Sequence, residues 1–205
     1  MTTSPHDGLN AFLDALAGRT PTPGGGSAAA AVGALGCAMA RMVAAYSPGK
    51  GAADDERRTV ADLSQRLERA DRLVRALIIE DERAYASLTE AARRLKTDPT
   101  HRRAHETARG VALAVPLQVA AAACESLHLM EQLLPVANRN LVSDLGVAAV
   151  LARASVRAAA YMVYVNAYEL DDPEARQKID HEIDALAARA DASLARIETN
   201  LADRL

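Results

Sequence analysis

From Ala28 to Ala40 the chain carries no charged side chain, and most of the residues in that stretch are alanine or glycine. Alanine loses no side-chain entropy in a helix, so such a run folds as one, and a helix without a polar face has to be covered on most sides. Ala29, Gly33, Gly36 and Ala40 recur at spacings of three and four, which gathers small residues where neighbouring helices can come close. The segment Pro21-Thr22-Pro23-Gly24-Gly25-Gly26-Ser27 leads into this helix. Its prolines fix two φ angles, its glycines open backbone conformations closed to other residues, and Ser27 is placed to be the N-cap. The helix is expected to run to about Tyr46 and to stop at Ser47-Pro48-Gly49.

The rest of the chain repeats the helical period. Leu9, Phe12, Leu13 and Leu16 mark one face of a short first helix ended by Gly18. A long third helix opens at the charged stretch Asp54 to Arg58, carries the stripe Val60, Leu63, Leu67, Val74, Leu77, Ile78, Tyr85 and Leu88, and ends at Asp98-Pro99. A fourth spans about Thr100 to Leu134, with Pro116 inside it. A loop from Val136 to Val142 leads to a fifth, capped by Ser143 and reaching about Glu169, and Asp171-Asp172-Pro173 opens the last. With only 3% aromatic residues and no alternating strand pattern, the expected fold is all-α. It is one up-and-down bundle of five or six helices over residues 1–205, with the small-residue helix buried at its centre. Residues 28 to 45 and 111 to 124 are apolar nearly all round, and a homodimer is the economical way to bury both.

Several partners are disfavoured. A net charge of −3 with dispersed arginines lacks the basic cluster of a nucleic-acid binder. The uncharged run from Ala28 to Ala40 falls short of the roughly 20 residues of a membrane span, and the start MTTSPHDGLN lacks a secretory signal. Cys37 and Cys124 each lie in an apolar stretch and read as buried thiols of a reducing compartment, so a cytoplasmic location is expected.

Asp81 is the most informative candidate for chemistry. It falls four residues after Leu77 and four before Tyr85, on the buried stripe of the third helix. A carboxylate there needs a cationic or donor partner, or has an elevated pKa suited to proton transfer. An arginine from a neighbouring helix or the Tyr85 hydroxyl would satisfy it with no function attached. The glycine loop likewise either holds a ligand against free backbone N–H groups or merely permits a tight helix entry. Asn138, Asn140, Ser143 and Asp144 cluster in one loop and helix start, where turns and caps also use such residues. Asn166 lies in an apolar stretch, and its buried amide needs partners that a ligand can supply. Metal binding is not expected: His101 and His105 read as an exposed face, and Glu125 to His128 is a single Glu-x-x-His element where a di-iron bundle needs two.

Taken together and in order, PTPGGGS before an alanine-rich helix, SPGK after it, EDERAY around Asp81, and NRNLVSDLG before the fifth helix resemble the cyclodeaminase/cyclohydrolase family of folate enzymes. The resemblance covers about residues 9 to 172, with Ala137, Leu141 and Met162 departing from the family's pattern. It implies an all-helical homodimer acting on a tetrahydrofolate derivative, with no further cofactor and no metal. It implies Asp81 as the acid–base carboxylate and Gly24, Gly25, Gly26 and Ser27 as part of the folate pocket. Lys50, Asn138, Asn140, Asp144 and Asn166 match its polar, substrate-binding positions. Cyclohydrolase, cyclodeaminase and a non-catalytic folate-binding or scaffold dimer are the functions to be told apart.

Overall fold

Helix-forming segments separated by proline, glycine and acidic caps give six α-helices in a computed structural model that describes residues 5–48, 51–202 and 204. They are α1 (Pro5–Ala17), α2 (Gly25–Ala45), α3 (Asp54–Thr97), α4 (Arg102–Leu133), α5 (Val142–Tyr168) and α6 (Pro173–Ala202). Short 3-10 turns at Pro99–His101, Leu134–Val136 and Arg139–Leu141 join α3 to α4 and α4 to α5. Among the described residues there is no strand, and the chain is all-α. Helices consecutive from α2 to α6 pack on one another, while α2 makes its most extensive contact with α5.

That contact depends on small residues. The Ser155 hydroxyl on α5 donates to the Ala29 carbonyl on α2 (2.7 Å). A Cβ added at Gly36 would lie 3.0 Å from the Ala148 carbonyl oxygen. The two helices therefore run antiparallel with backbones nearly touching, and Ala29, Ala40, Ala148, Ala152 and Ala159 are all sealed between them and their neighbours. Leu63, Leu67, Val74, Leu127, Met130, Leu145 and Ile183 fill the rest of one continuous core. Both cysteines are free and buried, and burial pushes both thiols above the ordinary range.

Three local expectations are corrected. Ser27 is not the N-cap: glycine accepts helical as well as extended backbone, so α2 begins three residues earlier, with Gly24 as its extended N-cap. Ser143 is not a cap either, because the 3-10 turn Arg139–Leu141 runs straight into α5 at Val142. The fourth α-helix starts at Arg102, since Pro99 opens a 3-10 turn capped by Asp98, which accepts from the Thr100 backbone N–H (2.9 Å). As expected, α2 is covered on most sides but not all round.

Leu35 on α2, and Val147, Val150, Tyr161, Val165 and Tyr168 on α5, are each half exposed or more. Leu9 and Leu13 of α1 are also about half exposed. The stretches Gly25–Ala45, Pro99–Val136 and Arg139–Tyr168 are long and apolar enough to cross a membrane by length and composition, with 50%, 61% and 44% of their apolar windows buried inside the fold. The count of uncharged residues in one run missed this, because an isolated arginine interrupts a run without making a helix polar.

Candidate functional site

The N-terminus of α2 leaves backbone N–H groups with no partner inside the helix, and Gly24 has no side chain with which to cap them. The cap comes from α3. Asp81 Oδ2 accepts from the Ser27 N–H (2.7 Å) and from the Ser27 hydroxyl (2.8 Å). A negative charge thus sits at the positive end of a helix dipole. Both donors hold the same oxygen, which leaves Oδ1 uncommitted. A Cβ built on Gly26 would fall inside the Asp81 carboxylate, so only glycine lets α3 approach the start of α2 this closely. The donor partner expected for Asp81 is Ser27; neither an arginine nor Tyr85 holds it, and Tyr85 is half exposed instead of buried in the stripe.

Asp81 opens into a cavity of about 210 Å³ whose walls are the Pro21–Gly26 segment, Tyr85, Leu88, Ala112, Met162 and Asn166. Asn166 is fixed by a fault in α4. Pro116 lacks an N–H, so the carbonyl four residues earlier, at Ala112, has no partner in its own helix. Asn166 Nδ2 donates to that carbonyl (2.7 Å). Because a carbonyl only accepts, the amide is oriented with its nitrogen inward, and its oxygen is left for the cavity. Asn166 thus has both a structural bond and a place in the cavity wall.

The structure divides the remaining site candidates. Asp81, Gly24, Gly25, Gly26, Ser27 and Asn166 gather at the N-terminal end of α2. Asn138 sits at its other end, where its backbone N–H donates to the Ser47 hydroxyl (2.9 Å) and its side chain donates to the Tyr46 carbonyl (3.2 Å). Asn138 Oδ1 in turn accepts from the Asn140 N–H (3.1 Å), and Asp144 follows in the first turn of α5. At about 1.5 Å per residue, α2 holds the two groups roughly 30 Å apart within one chain. Lys50 lies outside the described residues.

A second carboxylate escaped the sequence reading. Asp71 falls four after Leu67 and three before Val74, the same kind of position as Asp81. Its side chain is only 1% exposed, and it accepts from Arg41 and from Arg75 Nε (2.7 Å). The periodicity that exposed Asp81 would have found it. Among the described residues no three His, Cys, Asp or Glu side chains gather as a metal site would require.

Residues 8–185 match the family model described as formiminotransferase-cyclodeaminase. The chain belongs to this family. It is 36% identical over 199 residues to the methenyltetrahydrofolate cyclohydrolase of Methylorubrum extorquens, covering 94% of each chain. It is 32% identical over 200 residues to the formimidoyltransferase-cyclodeaminase of Mus musculus, spanning 96% of this chain and 37% of that longer protein. Its fold superposes on the crystal structure of the formiminotetrahydrofolate cyclodeaminase of Thermotoga maritima with a TM-score of 0.85, at 26% identity, over 98% of this chain and 97% of that one. The family expectation drawn from PTPGGGS, EDERAY and NRNLVSDLG is confirmed.

Proposed function

We propose that this protein is an enzyme of folate one-carbon metabolism that hydrolyses 5,10-methenyltetrahydrofolate to 10-formyltetrahydrofolate. The observation that carries this reading is the Asp81 carboxylate, with one oxygen fixed by Ser27 and the other free beside a cavity. The methenyl bridge is a cationic carbon between two nitrogens. A free carboxylate oxygen beside it stabilises that charge and takes the proton of an attacking water as the new C–O bond forms. The adduct then opens by breaking the carbon–N5 bond, with the proton delivered to N5 and the formyl group left on N10. The identity of 36% with the Methylorubrum cyclohydrolase, against 26% with the Thermotoga cyclodeaminase at similar coverage, supports water as the reagent. The reaction uses no metal and no cofactor beyond the tetrahydrofolate substrate.

The name of the Thermotoga structure favours a second reading, formiminotetrahydrofolate cyclodeamination, in which N10 attacks the formimino carbon and the same carboxylate passes a proton to departing ammonia. A third is a non-catalytic folate-binding or scaffold dimer. Assays of methenyl- and formimino-tetrahydrofolate side by side separate them. Loss of the methenyl absorbance faster than in buffer is the expected result. Ammonia release alone supports the second reading, and heat of folate binding without turnover of either supports the third.

The protein acts as a homodimer in the cytoplasm, with neither a membrane nor nucleic acid as a partner. The apolar faces of α2 and α5 are the surface a second copy would cover. If α2 packs antiparallel to its twofold mate, the C-terminal end of one α2 meets the N-terminal end of the other. The partner's Asn138, Asn140 and Asp144 then complete the pocket of Asp81, which accounts for residues of one motif set lying at opposite ends of a helix. Sedimentation of Val150→Asp, expected as an inactive monomer, tests this arrangement.

A further inference from the structure

The first helix, α1, is 13 residues long, and a helix of that length is marginal in water unless an apolar face of it is packed against something. Leu9, Phe12, Leu13 and Leu16 supply such a face. The body of its own chain does not receive it: α1 makes no extensive contact with any other helix, and Leu9 and Leu13 stay half exposed. The bonds at its end are local, with the Gly18 N–H (3.1 Å) and the Thr20 hydroxyl (3.4 Å) both donating to the Ala15 carbonyl. Gly8 weakens the helix further, because glycine has the most backbone freedom to lose.

One open surface of the molecule matches this face in character. Leu35, Met39, Met42 and Tyr46 recur at spacings of three and four along α2. Leu35 and Tyr46 are half exposed or more, and the two methionines are only partly buried. A Cβ on Gly36 would touch Ala148, so Val147 and Val150 of α5 flank the same half of α2 and extend the surface. Methionine, unbranched and flexible, adapts to whatever packs on it. This surface lies toward the C-terminal end of α2, whereas α1 is tethered to the N-terminal end. With Pro21 already in the wall of the Asp81 cavity, the tether left is Gly18 to Thr20, about 10 Å when extended. That is too short to bring Leu13 to its own Met42, about 26 Å along α2 from Gly25.

We propose that α1 is an arm exchanged between the two copies of a homodimer. Its leucine face is seated on the partner's Met42, Tyr46 and Val147, and this contact holds the Pro21–Gly26 wall of the Asp81 cavity in place. The proposal rests on the antiparallel dimer above, in which the C-terminal end of one α2 lies beside the N-terminal end of the other. That N-terminal end is where α1 is tethered. The glycine-rich wall segment is then gripped from both sides, by α2 of its own chain and by α1 docked on the partner. The partner thereby shapes the ligand pocket through the loop that leads into α2.

Sedimentation and kinetics of Leu9→Asp/Leu13→Asp test the arm. The dimer dissociation constant should rise about tenfold or more over wild type, as the loss of two buried leucines requires. At protein concentrations where the variant is still dimeric, its KM for the methenyl substrate should rise about fivefold, because the pocket wall is less well held. Ala11→Asp, an equal burden on the exposed opposite face of α1, should match wild type in both. Cross-linking tests the exchange separately. A Leu13→Cys chain mixed with a differently tagged Val147→Cys chain and a bismaleimide should give a product of twice the chain mass that carries both tags; Cys37 and Cys124 are buried and do not compete. A cross-link formed only within one chain that carries both new cysteines, or none at all, would overturn the exchange. So would a wild-type dimer whose dissociation is unchanged by Leu9→Asp/Leu13→Asp, which leaves the dimer and the folate reading intact. An unchanged KM in the loosened dimer would overturn the hold on the cavity. A wild type that is monomeric and active would overturn the arm and the dimer together.

Discussion

Asp71 and Asp81 stand on the same stripe of α3 and meet different fates. Asp71 is sealed in the core and shared by Arg41 and Arg75, whose side chains are 40% and 57% exposed. Its charge is cancelled where it sits, and both of its oxygens are occupied. Asp81 is half-buried, receives two hydrogen bonds from one residue on one oxygen, and has no cation beside it among the described residues. A carboxylate saturated by arginines serves the fold. One held by a single serine, with its second oxygen beside a cavity, is open to a ligand, and the proposed function makes it the proton carrier. Position on the stripe does not separate the two roles; the partners do.

The sharpest way to break this contrast is Asp81→Asn, which keeps the shape of the side chain and removes its basicity. It should lower kcat by about 10²–10⁴-fold while the variant stays folded. A folded variant within tenfold of wild type would deny Asp81 its role. Gly26→Ala attacks the same carboxylate by displacement. It should cost about 10²-fold in kcat and about 1–3 kcal/mol of stability, since the new methyl group cannot share space with the carboxylate. Asp71→Asn should do the reverse, costing about 2–3 kcal/mol in urea unfolding with little change in kcat. That is below the ~3–5 kcal/mol of a fully buried pair, because both arginines can turn to water. If it reduces kcat as Asp81→Asn does, the division between the two carboxylates fails.

Asn166→Ala leaves the Ala112 carbonyl without a donor, at about 1–2 kcal/mol. Adding Pro116→Ala restores the missing N–H and should recover most of the loss, so a pair of losses that simply add would refute this account of Asn166. The smallest effect belongs to the surface. Arg196 donates to Glu131 through Nε (2.6 Å) and holds its carboxyl below the usual carboxylate range. Since the folded pKa is the lower one, the contribution is complete above the unfolded value of about 4.3 and is lost as pH falls through the folded value. With both partners partly exposed it stays under about 1 kcal/mol. Arg196→Gln should therefore be slightly destabilised at pH 7, and the difference should fade in acid unfolding curves.

The helices themselves were readable because each signal is local. The acidic start of α3, the Asp98-Pro99 stop and the proline opening α6 act within one or two turns of where they stand. Asp81 was readable because the period of the stripe makes a carboxylate conspicuous, and Asp71 was equally readable but passed over. Ser27 was misplaced because a serine after three glycines resembles an N-cap, whereas the real cap is a side chain 54 residues away. The separation of the site candidates to the two ends of α2 was not legible, since a motif list records order and says nothing about which ends of helices meet. Nor was the open face of α5, because composition shows that a helix is apolar without showing which neighbour leaves it uncovered.

Pro116 touches no proton and lines no part of the Asp81 cavity, yet it decides the polarity of one wall. By withholding one amide it creates an acceptor that claims the nitrogen of Asn166, and so turns the amide oxygen toward the ligand. One N–H of Asn166 is spent on that carbonyl, so the wall keeps the amide oxygen as an acceptor and a single N–H as a donor. The polarity of this wall is thus written in the backbone of α4, one turn from the carbonyl that transmits it.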